Sequence, residues 1–165
     1  MSSRRVTRAQ LALVLLLLLV LQFYLRPRLW NARVSPDFLL IGLMLFAMRS
    51  SAGVAAFAGF LVGLIADTLT PARFGAAALA HTVLGYLAAW GRAVFFADNM
   101  LVNAGFVAAG LWLRDLIVLL ASDTNHRQLL TELTIYSPIQ ALTTAGFALV
   151  ILMTFRAVFS VRLDG

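Results

Sequence analysis

From Ala9 to Leu25 the chain runs for seventeen residues without a charge, and five further apolar stretches follow it. A helix rises about 1.5 Å per residue, so crossing a hydrocarbon core of about 30 Å takes roughly 17–25 apolar residues. The stretches read as helices over residues 9–25, 36–48, 52–69, 75–90, 100–121 and 129–155. They predict an all-α integral membrane protein of six transmembrane helices, with residues 1–165 forming a single transmembrane domain. The second stretch is short, reaching about 20 Å. It is expected to tilt outward, to be partly re-entrant, or to be extended by its flanks. The sixth is the longest and is broken by Pro138.

Composition excludes the soluble alternatives. The chain is 62% hydrophobic and 12% charged, with a mean hydropathy of +0.93. Soluble domains are about 45–50% apolar and about 25% charged. Arg4, Arg5 and Arg8 precede the first apolar run as they would in a signal peptide, but no small-x-small cleavage site follows, which predicts an uncleaved first helix. The net charge is +6 and every basic residue is arginine. These arginines stand singly or in small groups at the ends of apolar runs, the pattern of membrane flanks rather than of a nucleic-acid face. With the N-terminus inside, seven arginines fall on the inner side and five on the outer, a modest bias toward cytoplasmic N- and C-termini. The outer group Arg26, Arg28 and Arg33 runs against it. There are no cysteines, and His81 and His126 lie far apart without ligand spacing, so neither a metal centre nor a cofactor is expected.

The informative residues are the polar ones inside the apolar runs. Gly59, Gly63 and Asp67 recur every four residues and share one face of the third helix. Gly-x-x-x-Gly lets another backbone approach closely, so Asp67 is expected to face protein as a capping or interfacial carboxylate. The fourth helix repeats the device with Ala78, Thr82, Gly85 and Ala89, beside His81. That histidine is expected to bond a neighbouring helix, the other reading being a proton relay or ligand contact. Arg114 and Asp115 are adjacent on the fifth helix, about 100° apart, and are each expected to look to a different neighbour.

Asp67 and Arg114 lie 15 and 14 residues from the starts of two parallel helices, at about 21–23 Å from the same surface. The early residues of the fourth and sixth helices return to that level. One layer thus collects Asp67, His81, Arg114, Asp115, Glu132, Tyr136 and Gln140, and an Asp67–Arg114 pair is expected within it.

The tracts "SPDFLLIGLMLFAM" and "GFLVGLIADTLTPARFGAAALAHTVLGYL" resemble the MreD family of bacterial rod-shape-determining inner-membrane proteins. The likeness rests on Pro36-Asp37 opening the second helix, on Gly59-Phe60, Gly63-Leu64 and Asp67 in the third, and on Gly75-x-x-Ala78-Leu79 and Gly85-Tyr86 in the fourth. Size and helix count agree over the whole chain. The resemblance implies a fold similar to the S-components of energy-coupling-factor vitamin transporters. It also implies a place in the complex that elongates the lateral wall, with MreC as partner and, through it, MreB filaments and the RodA glycosyltransferase–transpeptidase pair. Pro36, Asp37, Gly59, Gly63, Asp67, Gly75 and Gly85 would then carry architecture and interaction. His81, Arg114, Asp115, Tyr136 and Gln140 would form a polar layer or pocket.

The expected function is a non-enzymatic membrane scaffold for cell shape and peptidoglycan synthesis. The alternative is a small-molecule or lipid-binding subunit related to vitamin-transporter S-components, its pocket in the polar layer. A third reading, an intramembrane enzyme using His81 with Asp67 or Asp115 as acid and base, needs a geometry that spacing does not supply.

Overall fold

A computed structural model describes residues 8–29, 31, 33–68, 74–95, 100–122 and 125–159. Helix α1 (Arg8–Tyr24) is followed by a 3₁₀ turn (Arg26–Arg28), then α2 (Phe38–Ala47), α3 (Ala52–Thr68), α4 (Ala76–Phe95) and α5 (Met100–Ala121). The last helical stretch comprises α6 (His126–Thr131), a π-helical turn (Glu132–Tyr136) and α7 (Ser137–Phe159). There are no strands among the described residues. Among the described residues, three helical stretches are long and apolar enough to cross a membrane: Ala9–Arg28, Val102–Ala121 and Arg127–Thr154. Phe38–Ala47, Ala52–Thr68 and Ala76–Gly91 are shorter apolar helices.

Helix α2 has only 10 residues and spans about 15 Å. Phe38, Leu40, Ile41, Leu43, Met44 and Ala47 are all buried, and α2 packs against α1, α3, α4, α5 and α7. It is the central post of the bundle. Phe38 meets Phe147 of α7 edge to face at 5.6 Å. Helix α1, by contrast, buries Val14, Leu18 and Gln22 and exposes Leu13, Leu16 and Leu17.

Helices α3 and α4 touch backbone to backbone. A Cβ on Gly59 would lie 2.0 Å from the His81 carbonyl oxygen, and one on Gly63 2.4 Å from that of Ala77. Reciprocally, a Cβ on Gly85 would lie 2.2 Å from the Ala55 carbonyl oxygen. In lipid, where apolar side chains gain little by leaving the solvent, such close packing is what holds helices together. The fourth helix runs five residues beyond its expected end at Trp90, to Phe95.

Pro138 does not break the last helix. The Ser137 N–H donates to the Glu132 carbonyl, five residues back, and this wider turn gives the proline ring room beside the preceding carbonyls. The register change frees the Leu133 carbonyl, the ordinary acceptor for Ser137. The indole N–H of Trp112 on α5 donates to it at 3.3 Å, so the irregular turn is satisfied from outside its own helix.

Candidate functional site

The extended segment before α2 is stitched into the bundle by side chains. Thr143 Oγ1 donates to the Val34 carbonyl at 2.7 Å and Gln140 Nε2 to the Ser35 carbonyl at 3.0 Å. The Asp37 N–H donates to Thr144 Oγ1 at 3.1 Å, and the Phe38 N–H to Gln22 Oε1 at 3.1 Å. Non-helical backbone at membrane depth is tolerated only where protein supplies such partners. Asp37 then caps α2, its Oδ1 accepting from the Leu40 N–H at 3.0 Å.

The other oxygen of Asp37 reaches Arg114. Nη1 of that guanidinium bonds Asp37 Oδ2, and Nε bonds Asp115 Oδ1 at 2.9 Å with Nη2 on the same oxygen. Nη2 also donates to Gln140 Oε1 at 3.3 Å. Ser137 Oγ donates to Asp115 Oδ2 at 2.5 Å. The Asp37, Arg114 and Asp115 side chains are 4%, 11% and 15% exposed, deep enough for each to depend on the others. Helices α2, α5 and α7 are therefore tied through one cation.

Two expectations are corrected by this geometry. Asp67 does not pair with Arg114. It lies buried at the end of α3 and crosses to the start of α4, accepting from the N–H groups of Gly75 at 2.9 Å and of Ala77 and Ala78 at 3.0 Å each. A helix N-terminus offers unpaired donors and a positive dipole end. Here α4 opens on glycine, with Gly75 at φ +96, so a carboxylate from another helix does the capping. Arg114 and Asp115, expected to diverge, are bonded to each other, because a long guanidinium arm folds back over the 100° that separates them on the helix. Asp67→Ala is expected to lower stability by about 2 kcal/mol through three orphaned donors. Asp67→Asn, keeping an acceptor, should lie between it and the parent in thermal unfolding of detergent-solubilised protein. Equal melting of Asp67→Ala and parent would refute the cap.

The polar layer divides. Arg114, Asp115 and Gln140 meet in the cluster. Tyr136 and Glu132 instead bracket Arg33, whose guanidinium carbon sits 4.9 Å over the Tyr136 ring and whose Nη1 is 3.5 Å from Glu132. Those charged side chains are 59% and 31% exposed, and such a pair contributes about 0–1 kcal/mol. His81 is buried on α4 with Nδ1 2.8 Å from the Ala77 carbonyl oxygen. Pro36 is buried just ahead of the Asp37 cap. The sequence also predicts a turn from Pro71 to Gly75, between the third and fourth apolar stretches, and of it Phe74 and Gly75 alone are among the described residues. No group of three or more His, Cys, Asp or Glu able to hold a metal occurs among the described residues.

Sequence reasoning missed Asp37 as the partner of Arg114, although the depth argument contained it: α2, like α4 and the last helix, starts at that level. Gln22 carried a signal as the lone polar residue in the second half of a leucine run. Ser137, Thr143 and Thr144 carried none, since small polar residues recur on helices without such duties.

The family model described as "MreD: rod shape-determining protein MreD" matches residues 3–160. The chain belongs to the MreD family. No curated protein and no solved structure matches it. MreD membership, with the apolar helices, makes this a membrane protein of rod-shape determination. The likeness to transporter S-components rests on the family resemblance alone. Within this MreD chain, the elements that carried the resemblance, Asp37 and the Gly59–Gly63–Asp67 face, are the capping and close-packing positions of α2, α3 and α4.

Proposed function

We propose that this MreD chain is a non-enzymatic scaffold of the wall-elongation complex. It forms one transmembrane unit over residues 1–165 in the bacterial cytoplasmic membrane, with both termini cytoplasmic. It binds MreC, and through MreC it joins the MreB filaments and the RodA–transpeptidase pair. The observation that carries this reading is the use made of the buried charges. Asp37, Arg114 and Asp115 bond one another, and Asp67 caps a helix, so these four buried groups serve architecture. That supports a bundle of fixed shape, surrounded by lipid and partner helices, over a carrier whose pocket would lie in the same layer.

Depletion of the protein should round rod-shaped cells, and affinity purification of MreC should lose this chain when the Arg114 cluster is dismantled. Normal rods after clean deletion in a strain without a paralogue would overturn the scaffold reading. A vitamin or lipid headgroup retained at one per chain through purification would replace it with the carrier.

A further inference from the structure

Arg28 and Arg33 belong to the arginine group that runs against the orientation bias, and both are exposed. They meet one membrane surface. The span Ala9–Arg28 ends there and Arg127–Thr154 begins there, since Arg33 stands beside Glu132 near the start of the latter. The chain between them is folded tightly. The Leu29 N–H donates to the Leu25 and Arg26 carbonyls, and the Val34 and Ser35 N–H groups both donate to the Asn31 carbonyl. The Arg33 N–H donates to Asn31 Oδ1 at 3.0 Å. From Arg28 to Arg33 the backbone can span at most about 17 Å, and these turns shorten it.

Each guanidinium is laid over a tyrosine. The guanidinium carbon of Arg28 is 3.6 Å from the centre of the Tyr24 ring, and that of Arg33 is 4.9 Å from the centre of the Tyr136 ring. A ring covers one face of the flat cation and leaves its N–H edge open. Of five N–H donors on a guanidinium, Arg28 commits one, to the Tyr24 carbonyl at 2.9 Å. The contact of Arg33 with Glu132 is a loose ion pair at 3.5 Å, between side chains 59% and 31% exposed. Two cations beside one exposed carboxylate leave a net positive charge with oriented donors. The headgroup layer offers phosphodiester oxygens at this level, and arginine matches a phosphate with two parallel N–H bonds.

We propose that Arg28 and Arg33 form a headgroup site for one anionic phospholipid. Both guanidiniums bond its phosphodiester, and its acyl chains lie along the exposed Leu16, Val20 and Phe23 ridge of α1. A zwitterionic lipid brings its own cation to its phosphate, so the site favours a headgroup whose negative charge is unbalanced. The inference is indifferent to which way round the chain crosses the membrane, and it stands apart from the scaffold reading.

The test is native mass spectrometry of the full chain released from nanodiscs of equal parts phosphatidylglycerol and phosphatidylcholine. The parent should retain one phosphatidylglycerol per chain. Arg28→Gln with Arg33→Gln should cut that retention tenfold or more, since each arginine at an anionic surface contributes about fivefold. Circular dichroism checks that the variant is folded; if it is not, Arg28→Gln alone is read, with a loss of about fivefold. Arg127→Gln removes the same charge at the start of the neighbouring span and should keep the lipid. Glycerol phosphate, which carries the phosphate without the acyl chains, should not displace it at millimolar concentration. Undiminished retention in the arginine variants, equal retention of both lipids by the parent, an equal loss with Arg127→Gln, or displacement by glycerol phosphate overturns the proposal.

Discussion

Gly59→Ala should markedly lower the stability of the protein, although alanine is the better helix former. The exchange gains about 1 kcal/mol of helix propensity. Against that stands a Cβ placed 2.0 Å from the His81 carbonyl oxygen and 2.7 Å from its carbon. These are backbone atoms of a helix held by its own hydrogen bonds, so α3 and α4 must separate. Overpacking costs about 1–3 kcal/mol and sometimes more, and an immovable neighbour puts this case at the upper end or beyond. A net loss of about 2 kcal/mol or more is expected, with Gly63→Ala similar.

Gly110→Ala is the control that isolates the cause. Its Cβ would lie equally close, 2.0 Å, to Met44 Cε, but the end of a thioether can move aside. Its loss should stay below about 1 kcal/mol. Gly105, with nothing within 4 Å, should accept alanine at no cost. Thermal unfolding followed by size-exclusion chromatography ranks the four. Equal behaviour of Gly59→Ala and Gly105→Ala would sink the backbone-contact account.

Arg114→Leu is expected to be the most damaging change in the cluster. It strands Asp37 and Asp115, and breaking a buried pair from one side costs about 3–5 kcal/mol. Removing the carboxylates as well, as Arg114→Leu with Asp37→Asn and Asp115→Asn, should recover much of that loss, because no uncompensated charge remains. The exchange Asp67→Arg with Arg114→Asp should rescue nothing, since the two side chains do not meet and the α4 cap would be lost too. Urea unfolding in mild detergent, or protease resistance in membranes, separates these outcomes. A triple variant no more stable than Arg114→Leu would show that the charges are not the cause.

Much of the architecture is legible in the chain because the bilayer imposes a length and a polarity on any helix that enters it. The apolar runs, their ends at arginine, proline and glycine, and the shared face of Gly59, Gly63 and Asp67 all follow from period and composition. The glycine spacing predicts a close helix contact, and α4 supplies the other side of it. Pro138 misleads, because a proline-induced break and a π-helical turn have the same sequence, and they differ only in whether a neighbour such as Trp112 satisfies the freed carbonyl. Helix α2 is open in a similar way: ten apolar residues do not say what covers them, and only the surrounding helices show that they are buried.

What the sequence by itself determined is the class, a helical membrane protein whose few interior charges must face protein. Tertiary structure alone decided who meets whom. Counting along the helices predicts one level for Asp67 and Arg114, yet Asp67 spends its oxygens on the α4 N-terminus while Arg114 turns to Asp37 and Asp115. Depth along a helix is set by a rise per residue that every helix shares. Pairing is set by the rotation and lateral order of the helices, which close packing at glycine faces fixes only once the bundle is assembled.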